Sequence, residues 1–174
     1  RSSELGLVAM VPIFYVSAAV AFLATALAIS RANVVHGLLD LIVSLLAVAV
    51  MFLTLGAPFL AALEVIIYAG AIMVLFVFVM MLLNLGPQTV EQERRWLPPR
   101  AWITPFVLAA VLLVEVVVVL GGVDGPALAG EAIDPRQLGT VLFGRYAIGV
   151  ELASMLLLAG VVGAAHLGRR EGGA

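Results

Sequence analysis

The chain has no cysteine and no lysine, and only 11% of its 174 residues are charged. Without cysteine it can form no disulfide, no thiolate zinc site, no Cys-ligated iron–sulfur cluster and no c-type haem attachment. Without lysine every fixed positive charge is an arginine, and a net charge of −2 leaves no basic face for nucleic acid. A soluble domain carries about 25% charged and roughly 45–50% apolar residues. Here 64% are hydrophobic, more than a chain this short can hide in its own core, so its solvent must be lipid. The first apolar run far exceeds the roughly 7–15 residues of a signal peptide's core, so the chain, which begins at Arg1, is not expected to open on a cleaved leader.

A hydrocarbon core of about 30 Å takes about 20 helical residues to cross. Five segments reach that length: residues 5–29, 34–55, 59–85, 102–121 and 143–167. Each is apolar around its circumference, as a spanning helix is, and the alternation of a membrane barrel is absent. The expected fold is therefore an all-α polytopic membrane protein, a single integral domain over 1–174, with a polar linker at 86–101 and a Gly/Pro-rich loop at 122–142. No internal repeat supports an inverted-repeat transporter. Arg31, Arg94, Arg95, Arg100, Arg169 and Arg170 fall on one side of this topology; the other side has only Arg1, Arg136 and Arg145. The arginine bias places the N-terminus outside and the C-terminus in the cytoplasm.

Four carboxylates fall within or at the edge of spans: Asp40, Glu64, Glu115 and Glu151. No arginine is expected at a comparable depth to pair with them. A charge at mid-bilayer costs at least about 2.5–3.5 kcal/mol, so such groups face a bundle interior or a wet cavity, or stay protonated. Either state suits a proton path, and each residue also has a plainer reading. Asp40, one turn before Ser44, serves equally well as a snorkelled or interhelical structural group. Glu64, soon after Pro58, favours the positive end of its helix dipole. Glu115, alone in "VLLVEVVVV", is expected to face another protein. Glu151 shares a helical face with Ser154 and Met155 and can hydrogen-bond to a neighbouring helix.

The stretch "EVIIYAGAIMVLFVFVMMLLN" opens on an acid and carries a tyrosine and a glycine near its start. At α-helical spacing Glu64, Tyr68, Ala71 and Leu75 share a face. Tyr68 can both donate and accept a hydrogen bond, and so stop or pass a chain of water. Gly70 between Ala69 and Ala71 removes side-chain bulk and eases departure from α geometry. This is the longest span, and spare length tolerates a π-bulge, a deformation found at functional sites. Ordinary small-residue packing is the competing reading. His36 and His166 sit at helix ends, where a solvated or capping histidine is the common case and a haem pair the rare one. Ala159 with Gly163, and Gly160 with Ala164, allow close helix packing in the last span.

The segments "ALEVIIYAGAIMVLFVFVMMLLNLG", "EQERRWLPP", "LFGRYAIGVELASMLLLAGVVGAAHLGRRE" and "NVVHGLLDLIVSLLAV" closely resemble the subunit J family of bacterial NADH:quinone oxidoreductase, respiratory complex I. This is the family of the mitochondrially encoded sixth NADH dehydrogenase subunit. The likeness runs from about Asn33 to Glu171, is most specific in the third span, and is slight in the first span and the last loop. It implies a membrane-arm subunit near the junction with the hydrophilic arm, in the bacterial cytoplasmic membrane. That subunit binds no cofactor: flavin mononucleotide, iron–sulfur clusters and quinone belong to partner subunits. The implied partners are other membrane subunits, chiefly chains H, A and K, with N as a further one, and membrane lipid. The resemblance further implies a third helix with a π-bulge that switches between α and π forms, making or breaking a water chain. Carried onto this chain, the gating residues are Tyr68, Glu64, Gly70, Val74 and Phe76, with Asp40, Glu115 and Glu151 as secondary carboxylates.

Three rivals come from other classes. Multisubunit cation/proton antiporters and membrane-bound hydrogenases contain similar segments, although "EQERRWL" and the whole third-span motif favour the respiratory enzyme. A purely structural subunit would use Tyr68 and Gly70 for packing alone. A cytochrome-b-like carrier would use His36 and His166, and visible absorbance would reveal it.

Overall fold

The computed structural model describes residues 2–31, 34–83, 102–121 and 132–168. The expected linker at 86–101, part of the loop at 122–142, and six of the arginines behind the orientation (Arg1, Arg94, Arg95, Arg100, Arg169 and Arg170) lie outside the described residues. Among the described residues five helices are long and apolar enough to cross a membrane. In lipid every backbone N–H and C=O must be satisfied within its own segment, which is why these runs are helical.

The chain divides into two compact units, residues up to 133 and residues from 134. The first contains α1 (Ser2–Ser30), α2 (Val34–Thr54), α3 (Pro58–Leu63), a π-helical stretch (Glu64–Ile72), α4 (Met73–Leu83) and α5 (Ile103–Leu120). Its centre is α2, which touches α1, α3, the π stretch, α4 and α5. The core is made by Val20 and Ala24 of α1, Val43, Ala47 and Val50 of α2, and Leu112 of α5. Small alanines at the α1–α2 seam let the two backbones approach, the usual basis of close packing in lipid.

α2 ends on Gly56, the one described residue with a left-handed backbone, at φ 77°. Gly56 N–H bonds to Leu53 O at 3.0 Å, and Ala57 N–H reaches back to Phe52 O at 2.9 Å. This paired pattern closes a helix with glycine just past its end. Pro58 then opens α3, where its missing N–H costs nothing. Ile133 N–H donates to Gly56 O at 2.8 Å, tying the segment after α5 to the same end of the bundle. At the opposite end His36 meets Trp102 edge to face, with ring centroids 6.0 Å apart. The starts of α2 and α5 are therefore neighbours, and the two helices run parallel.

The second unit holds α6 (Pro135–Phe143) and α7 (Ala147–Gly168). In place of a loop over 122–142 and a last span from 143, residues 135–143 form a helix of their own and the last span starts at Ala147. Asp134 caps α6 by accepting from Arg136 N–H at 3.0 Å, and Gln137 Oε1 accepts from Asp134 N–H at 3.4 Å. Asp, Pro and Gln at these positions form a capping box with proline at the first helical position. That four-residue signal was present in the sequence. α7 buries none of its residues.

Candidate functional site

The third span is continuous from Pro58 to Leu82 but is not α-helical throughout. Nine residues, Glu64–Ile72, form a π-helix that contains Glu64, Tyr68 and Gly70. The handover is visible at both ends. Glu64 N–H still reaches Leu60 O, four residues back, whereas Met73 N–H reaches Tyr68 O, five back, as well as Gly70 O. The resemblance put the deformation from Tyr68 to about Phe76. The π stretch instead begins at Glu64 and ends at Ile72, leaving Val74 and Phe76 in the regular helix α4.

Residue sizes fit this geometry. A π turn spans i→i+5 and is wider than an α turn. Three β-branched residues, Val65, Ile66 and Ile67, crowd the first half, and Ala69, Gly70 and Ala71 relieve the second. A Cβ added at Gly70 would lie 3.1 Å from Val65 O, the carbonyl five residues earlier. Glycine thus stands where a side chain would press on the π ladder.

The wider turns also set helix phase. Ala61 and Met73, at 4% and 3% exposure, are the two buried residues of this span. At 3.6 residues per turn, positions twelve apart differ by about 120° and cannot share a face. One extra residue taken up in wide turns removes about 100° of that difference. The π stretch therefore brings Met73 back toward α2, which both α3 and α4 touch. The face expected from α spacing, Glu64–Tyr68–Ala71–Leu75, does not carry through, because the turn width changes inside it. Tyr68 is 50% exposed and Glu64 half-buried. Val74 and Phe76 are exposed one turn further on, and none of the five contacts another polar side chain among the described hydrogen bonds.

Two of the other carboxylates have side-chain partners within the chain. Asp40 is fully buried, and Arg31 Nε donates to its Oδ2 at 2.8 Å, so an arginine does pair with it. Asp40 lies six residues into α2, about 9 Å from its start, a depth that the Arg31 side chain reaches. Glu115 does not await a foreign protein for all of its contacts: it is buried against α1, where Ser17 Oγ donates to its Oε2 at 2.7 Å. Ser44, one turn beyond Asp40, bonds to Thr25 Oγ1 at 2.7 Å and donates to Ala21 O at 3.0 Å. In the second unit Glu151 is exposed, and Ser154 Oγ donates to its backbone carbonyl at 2.7 Å rather than to a neighbouring helix. His36 is buried against Trp102 instead of solvated, and His166 is exposed in the last turn of α7. The Ser17–Glu115 pair had no local signal, since its partners lie on different helices; Arg31 lies just past the end of α1, nine residues before Asp40.

A model of the family NADH-ubiquinone/plastoquinone oxidoreductase chain 6 matches residues 24–167. The chain is 57% identical over 159 residues to the NADH-quinone oxidoreductase subunit J of Pseudomonas aeruginosa, covering 91% of this chain and 96% of that one. It is 54% identical over 158 residues to the subunit J of Escherichia coli K12, covering 91% and 86%. Against the subunit J of Buchnera aphidicola from Schizaphis graminum the identity is 42% over 159 residues, covering 91% and 98%. Five apolar spans and bacterial relatives of this likeness make it a multi-pass protein of the bacterial inner membrane. With most of its length matched, and its third span, first singled out by its acid, tyrosine and glycine, inside the match, the chain belongs to the NADH-ubiquinone/plastoquinone oxidoreductase chain 6 family, alongside bacterial NADH-quinone oxidoreductase subunit J.

Proposed function

We propose that this chain couples quinone reduction to proton translocation in the membrane arm of respiratory complex I, through a third span that deforms and gates a water chain. Family membership makes it a subunit of an NADH-quinone oxidoreductase, with the other subunits of that enzyme as its partners. Its partners there are chiefly chains H, A and K, with N as a further one. Flavin, iron–sulfur clusters and quinone reside on partner subunits, and this chain contributes no redox group.

One observation carries the mechanism: the π-helix over Glu64–Ile72 lies within a membrane span and holds both Tyr68 and Gly70. A π turn stores an alternative register, so the segment is a candidate two-state element of the kind that couples distant sites. Its return to α would turn Met73 and all that follows by about 100°, off α2. Tyr68 would move with the wide turns and make or break a hydrogen-bonded file of water. Glu64 supplies an ionisable neighbour six residues, nearly two helical turns, after Pro58.

Two measurements test this. A C-terminal tag on the chain should travel with a large NADH-oxidising band on a native gel; travel in a complex without that activity points to the antiporter or hydrogenase class. Tyr68→Phe should then lower proton uptake per NADH oxidised in inverted vesicles, with assembly intact. Normal uptake in that variant reduces Tyr68 to a packing role.

A further inference from the structure

The short helix α6 is amphipathic. Pro135, Leu138, Val141 and Leu142 fall within about 120° of its circumference, and Arg136, Gln137 and Thr140 take the opposite side. None of its residues is buried, so α7, in the same unit, leaves the apolar face uncovered. Val141 and Leu142 are both exposed there.

The chain itself holds both ends of α6 at one boundary of the membrane. At its start, Asp134 follows Ile133, whose N–H is bonded to Gly56 O where α2 ends and α3 begins. At its finish, three residues lead into α7, whose 22 residues, about 33 Å, match a hydrocarbon core of about 30 Å. α6 is itself about 13 Å long, too short to cross that core. Phe143, Arg145 and Tyr146 are exposed where α7 begins, and aromatic rings with a polar tip gather at headgroup level. Arg136 and Arg145 bring two positive charges to this level without a carboxylate partner, since the one ion pair among the described residues joins Arg31 to Asp40.

We propose that α6 lies along the membrane surface with its apolar face in the acyl boundary, and that Arg136 and Arg145 hold the phosphates of anionic phospholipids there. A helix with an apolar stripe, arginine opposite it and both ends at the boundary has the form of an interfacial helix. A protein occupant fits less well. Four side chains over two and a half turns fall short of the roughly 800 Å² per partner of a stable interface, and each guanidinium would need an acid brought to it. Anionic headgroups stand at this level already. The proposal does not depend on the gate in the third span or on the enzyme that the chain serves.

The test uses the full chain in native membranes. A diazirine amino acid is placed in turn at Val141, Leu142 and Gln137, irradiated, and its adducts are identified by mass spectrometry. Val141 and Leu142 should carry phospholipid, whereas Gln137, on the opposite side, should react with water. Anionic phospholipids should be enriched in the adducts about fivefold or more over their share of the membrane. Arg136→Gln with Arg145→Gln should return the adducts to that share, while Arg136→Lys with Arg145→Lys, which keeps both charges, should preserve the enrichment. Crosslinks from Val141 and Leu142 mainly to protein, whether a neighbouring subunit or another part of this chain, overturn the proposal, as do phospholipid adducts equally frequent at Gln137. No enrichment in the parent, or one that survives in the double glutamine variant, overturns the role of the arginines. The probes in the parent chain decide the placement even where that variant fails to accumulate.

Discussion

Gly70→Ala and Gly70→Val form a graded perturbation of the π stretch. The alanine Cβ would sit 3.1 Å from Val65 O, so the wide turn must yield by a few tenths of an ångström. A regular α turn has no such conflict, and alanine is favoured over glycine there by about 0.8–1.0 kcal/mol. Both effects push the same way, toward α. A shift of about 1 kcal/mol changes the α-to-π ratio roughly fivefold. Valine adds two methyls against the same carbonyl, and overpacking of this kind costs about 1–3 kcal/mol more, a tenfold change or greater. The assay is NADH-driven proton uptake in inverted vesicles, divided by NADH:quinone turnover. NADH oxidation by a water-soluble acceptor reports the amount of assembled enzyme. Uptake per turnover should fall in the order Gly, Ala, Val at equal assembly. If valine leaves that ratio at the wild-type value, the register of this helix has no part in pumping and the argument from Gly70 fails.

Arg31→Leu should strand Asp40 as an uncompensated buried carboxylate, a loss of about 3–5 kcal/mol, read as depleted complex in membranes; Asp40→Leu in the same chain should restore much of it. Recovery no better than in Arg31→Leu alone would show that the 2.8 Å pair is not what holds the α1–α2 turn. Asp134→Ala removes the cap of α6 and should cost that helix about 1 kcal/mol, visible as roughly fivefold faster amide exchange over residues 136–143. Unchanged exchange would mean that something other than the capping box holds α6 in place.

The five spans were legible because lipid imposes one pattern, a long apolar run, and the run alone locates the helix. The irregular third span was legible for a related reason: a carboxylate, a tyrosine and a glycine in such a run are exceptions that need an explanation. Its limits were less so, because no sequence rule says where turns of five residues begin, and the stretch starts at Glu64 rather than at Tyr68. Arg31 with Asp40 escaped because depth was read from the helix start, without the reach of an arginine stem. Glu115 with Ser17 joins residues 98 apart, and only the packing of α1 on α5 brings them together. α6 carries its own start signal in Asp134, Pro135 and Gln137, but lies in a stretch whose glycines and prolines read as loop.

The bare surface of α7 bears on how the cell makes this protein. A ribosome-bound chain can deliver such a helix into the bilayer on hydropathy alone, which for this span averages 2.0. No residue of α7 is buried within its own unit, so its packing partners lie outside that unit and must be met after insertion. Until they are met, the helix shows Gly160 and Gly163 to lipid and to membrane-embedded proteases. Insertion and packing are thus two separate events for the last span, and the interval between them is when the cell can dispose of a copy that finds no place.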